Sequence, residues 1–228
     1  MRIKLKLLAG AAVVAATLGG GIAHASPITF NVSVWNSLTP NENNFSSPQQ
    51  ALPSNPLATT PSDLAATFNY TGLPNWSNPA AQTNPFNTFV GYPSSAITNM
   101  KFYNNYTQNF TLSTSSFASA TLFELSFTTP QALSGTIVHD DGISLWNSAN
   151  TTDLVENALP TLATPTYFSV APGAYNLWYV EANGAPSQLT FQNVDVPEPG
   201  SLVLLGTGLI GLGLVLRRSK KARVISLS

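Results

Sequence analysis

The sequence predicts an all-β protein: an antiparallel β-sandwich ectodomain over residues 26–195, preceded by an N-terminal signal peptide and followed by one short C-terminal transmembrane helix. Three observations support this prediction. Apolar and polar residues alternate with period two in several short runs of the ectodomain. Prolines recur through its first third, where they leave little room for long helices. Uncharged apolar runs occur near both ends of the chain, each beside basic residues.

Residues 1–25 have the pattern of a secretory signal peptide. Three basic residues precede an uncharged apolar stretch over 7–22, and a small-x-small cleavage site ends at Ala25. We therefore expect Sec-type export followed by cleavage between Ala25 and Ser26 by signal peptidase. An uncleaved membrane anchor is the alternative, which the weakly hydrophobic, Ala- and Gly-rich stretch disfavours.

The first third of the ectodomain contains one clear strand pattern, over Ile28–Trp35, in which apolar residues occupy every second position. After it, the segment from Leu38 to Pro61 is predicted to be a long surface loop. Prolines continue to interrupt the chain as far as residue 93. Their positions are Pro40, Pro48, Pro53, Pro56, Pro61, Pro74, Pro79, Pro85 and Pro93.

Six more strand patterns follow in the second half of the ectodomain. Short strands separated by turn signals at regular spacing are typical of a β-sandwich, so we expect a single domain of this kind. The predicted strands are Leu122–Thr128, Ser134–His139, Gly142–Trp146, Tyr167–Ala171, Tyr175–Glu181 and Gln188–Val194.

Residues 196–228 form a tail of different composition. An uncharged run of 16 residues over 201–216 would be ~24 Å long as an α-helix. A bilayer core is ~30 Å thick, so a transmembrane span over about 199–216 is expected to include Pro199 and Gly200. The five basic residues within 217–228 suit a stop-transfer segment whose basic end is cytoplasmic. A buried core helix is the alternative, which these flanking charges disfavour.

The tail combines three parts in a fixed order: a Pro-Glu-Pro motif, an apolar helix and a basic cluster. The motif is Pro197, Glu198 and Pro199, and the basic cluster opens with Arg217 and Arg218. This order resembles the PEP-CTERM sorting signal of exopolysaccharide-producing Gram-negative bacteria. The resemblance implies recognition by an exosortase, a membrane transpeptidase-like enzyme that cuts near the motif. We therefore expect anchoring in the inner membrane during transit, then delivery to the cell surface or extracellular matrix.

Charge placement supports the same topology. Of the nine Lys and Arg residues, only Lys101 lies within 26–200. All ten Asp and Glu residues lie there, so one basic and ten acidic residues give this region a net charge of −9. Nucleic acid is excluded as a partner because its phosphates need basic patches. The chain has no cysteine and His139 is the only histidine after the signal peptide, which excludes thiolate and multi-histidine metal sites.

Two adjacent carboxylates, Asp140 and Asp141, stand before Gly142 at the end of a predicted strand. Carboxylates are preferred ligands of Ca²⁺, whereas His139 is a poor one because Ca²⁺ favours oxygen. Adjacent side chains on an extended strand point to opposite faces, so both reach one ion only where the backbone is kinked. A plain acidic β-turn is the alternative, since Asp-Gly is a common hairpin signal.

Residues 120–194 resemble the lectin-like module of the protective-antigen type, which also occurs in fungal flocculins and bacterial glycosidases. The resemblance rests on the HDDGISLW run over 139–146, SVAPGAY over 169–175, LWYVEANG over 177–184 and QLTF over 188–191. It implies a β-sandwich in which an Asp pair holds Ca²⁺, which in turn coordinates carbohydrate hydroxyls.

By this resemblance, Asp140 and Asp141 are the expected Ca²⁺ ligands and an extracellular polysaccharide is the expected partner. The family's next strand turns through Asp-Gly, where this chain has Asn147–Asn150, so the remaining ligands are not placed.

Three classes of function are open at this point. The first is a Ca²⁺-dependent, lectin-like surface protein, and the second is a structural matrix protein without a ligand. A glycoside hydrolase is a weaker third, because no spacing supports Glu124, Glu156 or Glu181 as a catalytic pair, and we expect no enzyme. Glu124 and Glu181 are expected to face solvent. An exposed aromatic side chain beside a solvent-accessible Asp pair would favour sugar binding. An Asp pair that is closed to solvent would favour a structural role. The aromatic candidates are Trp35, Trp76, Trp146 and Trp178.

Overall fold

Alternating burial along the strands separates an inward from an outward face, as the period-two pattern predicts. The computed structural model describes residues 27–37, 47–78, 84–114, 119–195 and 206–212. Within these ranges every strand pairing is antiparallel. The predicted all-β antiparallel fold is therefore confirmed, and residues Ala25–Pro197 form one compact unit.

The described part of the ectodomain has short helices and longer strands. The helices are α1 (Pro56–Thr59) and α2 (Phe86–Val90), with 3-10 turns at Ser47–Gln49 and Pro61–Asp63. The strands are β1 (Thr29–Ser37), β2 (Leu64–Thr71), β3 (Asn75–Asn78), β4 (Ile97–Phe102), β5 (Ala120–Thr129), β6 (Leu133–Asp140), β7 (Ile143–Asn147), β8 (Asp153–Asn157), β9 (Thr164–Val170), β10 (Gly173–Glu181) and β11 (Ser187–Asp195).

These strands form a seven-stranded sheet in the order β4-β2-β1-β5-β10-β7-β8 and a four-stranded sheet in the order β3-β11-β6-β9. Consecutive strands β6 and β7 belong to different sheets. The chain therefore crosses from one sheet to the other between residues 140 and 143.

The main core is rich in aromatic side chains, several of them in direct ring contact. Phe123 packs against Trp76, Phe89 and Tyr179, with ring centroids 5.6–6.1 Å apart. Each of these four side chains is at most 1% exposed. Burying a side chain of this size stabilises the fold by ~1.5–3 kcal/mol, so the cluster is a major source of stability.

A second apolar cluster lies on the outward face of the seven-stranded sheet, beneath residues 47–60. Ala51 and Leu57 are buried there against Leu122, Trp178 and Val180. The prediction of a long surface loop over Leu38–Pro61 is therefore wrong for its second half. Apolar residues at positions 51 and 57 give this short segment enough buried surface to cover the sheet.

The two ends of the chain hold predictions that the structure describes only in part. Residues 206–212 are helical and mostly exposed. Among the described residues, none of the helices has both the length and the apolar character needed to span a bilayer. The rest of the predicted span over 199–216, the cleavage site at Ala25 and Ser26, and the tail residues Pro197, Glu198, Pro199, Arg217 and Arg218 lie outside the described residues.

Candidate functional site

Asp140 and Asp141 lie at the point where the chain leaves the four-stranded sheet. Asp140 ends β6, and β7 begins at Ile143 in the other sheet. The segment therefore does not form the hairpin that an Asp-Gly signal indicates, because a hairpin joins neighbouring strands of one sheet. The peptide bond between Asp140 and Asp141 is cis.

Gly142 is required by a close approach of backbone to backbone. A Cβ atom at this position would overlap the carbonyl groups of Ala158 and Leu159. The Ala158 carbonyl accepts a hydrogen bond from the Ala51 N–H at 2.9 Å, and the Gly142 carbonyl accepts one from Val180 at 3.0 Å. The glycine thus lets the crossing segment pack between β10 and the loop that follows β8.

Two side chains, one from β10 and one from β6 itself, hold the backbone carbonyls of the Asp pair. The Tyr179 hydroxyl donates to the Asp140 carbonyl, and His139 Nδ1 contacts the Asp141 carbonyl. Because a carbonyl only accepts, Nδ1 carries the proton. The other nitrogen, Nε2, then accepts from Thr166 Oγ1 at 2.8 Å, with Asn157 Nδ2 at 3.3 Å.

His139 is fully buried, and burial lowers its pKa. The ring is therefore neutral near pH 7, in agreement with the tautomer that the contacts require. The sequence singled out His139 only as a poor Ca²⁺ ligand. Its position next to the Asp pair is the one sequence signal of a role, and in the structure its Nδ1 contacts the Asp141 carbonyl.

Backbone N–H groups from two loops face the Asp141 carboxylate. Oδ2 accepts from Ala182 N at 2.8 Å, and the N–H groups of Asn183 and Thr161 also lower the pKa of this group. Oδ1 has no hydrogen-bond partner although it is buried. The carboxylate is thus fixed in place with one oxygen left unsatisfied.

Asp140 is held in a similar way, by the backbone N–H of Ala163. Burial is the largest influence on both acids, and it raises the pKa of Asp140 to about 6 and that of Asp141 to about 7. The charge of Asp140 raises the pKa of Asp141 further. Ionising both carboxyls together is therefore unfavourable in this buried place. A bound cation would stabilise the two ionised carboxylates.

Glu181 is the third buried carboxyl of this region and is 0% exposed. Burial raises its pKa well above the ordinary value, with contributions from the Asp141 and Asp140 charges. Ser113 and Asn84 lie close enough to lower that pKa, yet neither carboxylate oxygen meets the geometry of a formed hydrogen bond.

The expectation that Glu181 faces solvent is wrong. It shares the inward face of β10 with Tyr175, Leu177 and Tyr179, because side chains two residues apart on a strand point to the same side. Glu124 does lie on the outward face of its sheet, where it is half-buried and burial raises its pKa.

The donors at the Asp pair fit a hard cation by their chemistry. All of the candidate ligands are oxygens, and Asp141 Oδ1 is a buried atom that lacks a partner. Among the described residues, no three His, Asp or Glu side chains lie close enough to hold a metal ion by themselves. An ion here would therefore take its remaining ligands from backbone carbonyls, amide oxygens or water.

The four tryptophans differ in their suitability for sugar contact. Trp76 is 1% exposed in the main core, which excludes it. Trp178 is buried and stacks on Trp35 with ring centroids 6.1 Å apart, on the outward face of the seven-stranded sheet. Trp146 lies on the same face and is partly exposed. Trp178 belongs to the second apolar cluster, and Trp146 packs against that cluster.

Comparison with known proteins identifies the tail. Residues 195–219 match the PEP-CTERM protein-sorting motif. The match includes all five predicted tail residues and confirms the sorting signal. The motif marks an exported protein that is anchored in the membrane in transit and sorted to the cell surface, and it implies processing by an exosortase.

The chain is also similar to solved structures at low identity. The PA14 domain of the MpAFP antifreeze protein is 12% identical with a TM-score of 0.44, and the match covers 74% of this chain and 81% of that one. The epithelial adhesin 9 A domain of Candida glabrata, in complex with Galβ1-4GlcNAc, is 14% identical with a TM-score of 0.39, over 77% of this chain and 84% of that one. No curated protein matches the chain significantly.

Proposed function

We propose that this cell-surface protein binds an extracellular polysaccharide through Ca²⁺ held by Asp140 and Asp141. The observation that carries the proposal is the unpartnered, buried Oδ1 of Asp141 beside a second carboxylate. Hydrogen bonds to both backbone carbonyls and to both carboxylates keep the pair in one arrangement. A preorganised acidic pair of this kind favours cation binding because little ordering remains to be done when the ion arrives.

The pair is closed to solvent and lies beneath one surface loop, which must move aside for a sugar to reach an ion held there. Thr161 and Ala163 face the two carboxylates, and Leu162 between them is 81% exposed. The loop over 158–163 therefore covers the pair, with one side toward the carboxylates and the other toward solvent. Bound Ca²⁺ would offer vacant coordination positions to sugar hydroxyl groups, which are oxygen donors of the kind that it prefers.

A structural role without a ligand is the second candidate function. The observation that favours it is burial, because Asp140 is 3% exposed and Asp141 is 0% exposed. In that case the carboxylates serve only to tie the loops over 158–163 and 182–184 to the end of β6.

The positions of the three glutamates disfavour the third candidate, a glycoside hydrolase that would use two of them as its catalytic pair. Glu124 pairs with Trp178, Trp178 with Ser144 and Ser144 with Glu156, so the two acids lie three strand spacings apart. At ~4.8 Å per spacing this is roughly 14 Å, beyond the ~5–9.5 Å of glycosidase pairs. Glu181 lies on the opposite face of β10.

The test is retention of the purified full-length protein on immobilised exopolysaccharide from the producing strain. We expect retention in millimolar calcium, loss of retention in a chelator, and loss in the Asp140→Asn/Asp141→Asn double variant. Asp195→Asn, which removes an exposed carboxylate at the end of β11, is the control and should behave as wild type. Retention that is equal in calcium and chelator would contradict the proposal, and absence of retention in both would favour the structural role.

A further inference from the structure

A groove on the outward face of the seven-stranded sheet shares no residue with the Asp pair. Its volume is about 440 Å³. One wall is the segment that covers the sheet, and the other is formed by β7, β8 and the turn between them. The lining residues are Leu52, Pro53, Ser54, Trp146, Asn150, Asp153 and Glu156.

Hydrogen bonds hold the aromatic wall of this groove in place. Trp146 Nε1 donates to Ser144 Oγ at 2.8 Å, and the Ser144 hydroxyl donates to the Ala51 carbonyl. The indole is thereby linked to both the sheet and the covering segment. It remains partly exposed and presents an apolar surface to the groove.

The polar wall is held in the same manner. Asn150 Oδ1 accepts from Asn176 Nδ2 at 3.0 Å and from Trp178 Nε1 at 3.3 Å. Asp153 Oδ1 accepts from the backbone N–H of Val155 at 3.0 Å. A groove that combines a fixed aromatic ring with a few fixed polar groups has the composition of a small-molecule site.

The groove is negatively charged and has no counter-charge from its own domain. Burial raises the pKa of Asp153, and Glu156 lies close enough for its charge to raise that pKa further. Lys101, the single basic residue between 26 and 200, lies on β4 at the opposite edge of the sheet from β8. Six strand spacings separate the two edges, which is roughly 29 Å and well beyond a Debye length of ~8 Å.

We propose that this groove binds an amino-sugar unit of a polysaccharide, with the sugar ring against Trp146 and the ammonium group beside Asp153 and Glu156. An indole face favours the apolar face of a sugar ring, and it also attracts a cation. Two carboxylates favour an ammonium group and repel a uronate. A neutral N-acetylated sugar would gain the ring contact without the charge interaction.

This site goes beyond the proposed function, because it needs no Ca²⁺ and shares no residue with the Asp pair. The two sites would give one protein two contacts with a surface polysaccharide, and linked contacts raise overall avidity. Their independence allows each to be tested while the other is switched off.

The test is calorimetric titration of the full-length protein in detergent and chelator, slightly below neutral pH. The probes are a glucosamine tetramer, its N-acetylated form and a galacturonate tetramer. We expect the glucosamine tetramer to bind more tightly than the N-acetylated form, and the galacturonate tetramer not to bind. Asp153→Asn and Glu156→Gln should each weaken glucosamine binding by up to roughly fivefold, the size expected for an exposed charge pair, while Asp195→Asn leaves it unchanged.

Three results would overturn this proposal. The first is equal affinity for the glucosamine and N-acetylated tetramers. The second is wild-type affinity in both the Asp153→Asn and the Glu156→Gln variants. The third is loss of binding in the Asp140→Asn/Asp141→Asn variant, which would place the sugar at the Asp pair instead. Wild-type circular dichroism spectra of all variants would show that the fold is retained.

Discussion

His139 shows how one buried side chain orders the candidate cation site. It donates to the Asp141 carbonyl through Nδ1 and accepts from Thr166 through Nε2. Replacing it with phenylalanine keeps the ring volume but removes the partner of the buried Asp141 carbonyl and of the partly buried Thr166 and Asn157 side chains. The sequence marks the residue only by its place beside the Asp pair, since its side-chain partners Thr166 and Asn157 lie on other strands.

We predict that His139→Phe destabilises the protein by roughly 1–3 kcal/mol, the cost of leaving buried polar groups unpaired. Urea unfolding of wild type and variant measures this difference. Thr166→Val, which removes only one of the contacts, is the matched control and should cost less. Equal unfolding midpoints for wild type and His139→Phe would show that these hydrogen bonds do not stabilise the fold.

We also predict that the stability of the protein in chelator falls as pH rises from about 4 to about 7. Asp140 and Asp141 have folded-state pKa values of about 6 and about 7, raised from 3.8. Below pH 3.8 both are protonated in the folded and unfolded states. As pH rises, the unfolded chain ionises first, so the stability contributed by the protonated pair is lost through the folded pKa values.

The size of this effect is on the order of a few kcal/mol, since one pKa unit corresponds to about 1.4 kcal/mol. Urea midpoints measured across this pH range check it. The Asp140→Asn/Asp141→Asn variant should show a flatter profile because the amides do not titrate. A profile that is as steep in the variant as in wild type would assign the pH dependence to other groups.

At the scale of elements, the crossing between β6 and β7 determines what the Asp pair can do. The pair lies between two sheets, so loops from both sheets bring backbone N–H groups to the carboxylates. Strand patterns alone predict β6 and β7 but not that they lie in different sheets. The sequence therefore identified the two acids, while the amides of Thr161, Ala163 and Ala182 emerge only from the fold.

Gly142→Ala is predicted to destabilise the protein by roughly 1–3 kcal/mol or more, because the new methyl group would overlap the Ala158 and Leu159 carbonyls. Thermal unfolding measures the loss. Gly72→Ala is a useful contrast: its positive φ of 112° causes backbone strain, but no atom lies within 4 Å of a Cβ there. Wild-type stability of Gly142→Ala would mean that the crossing segment can move aside.

All seven strands that sequence patterns predicted are present with slightly different ends, and each has two or more buried residues at alternate positions. The four that were missed have physical reasons. β3 has only four residues, and β4 buries only Ile97 fully. β8 has no fully buried residue, and β2 follows a proline-rich stretch with a broken alternation. Edge position explains β3, β4 and β8, since an edge strand needs less apolar surface.

At the scale of the whole molecule, the sorting motif and the charge distribution agree. The acidic region 26–200 carries a net charge of −9 from one basic and ten acidic residues, and five basic residues follow residue 216. This asymmetry predicts a tail whose basic end is cytoplasmic and an acidic domain that is outside. It also favours cations over anions as partners of the exported domain.

We predict that the protein recovered from the cell surface begins at Ser26. We also expect its tail beyond Pro199 to have been removed or modified. The cleavage-site pattern and the motif over 195–219 motivate this expectation. Intact-mass measurement of surface protein from cells with an active exosortase checks it. A mass equal to unmodified residues 26–228 would contradict processing at the motif.

Binding of Ca²⁺ by the Asp pair is tested most directly by thermal melting. The melting temperature of the full-length protein is measured in millimolar calcium and in chelator. An ion at ~100 times its dissociation constant stabilises the folded state by ~2.7 kcal/mol through mass action. We predict a higher melting temperature in calcium for wild type, and loss of most of that difference in the Asp140→Asn/Asp141→Asn variant. Identical wild-type melting temperatures in calcium and in chelator would contradict the claim.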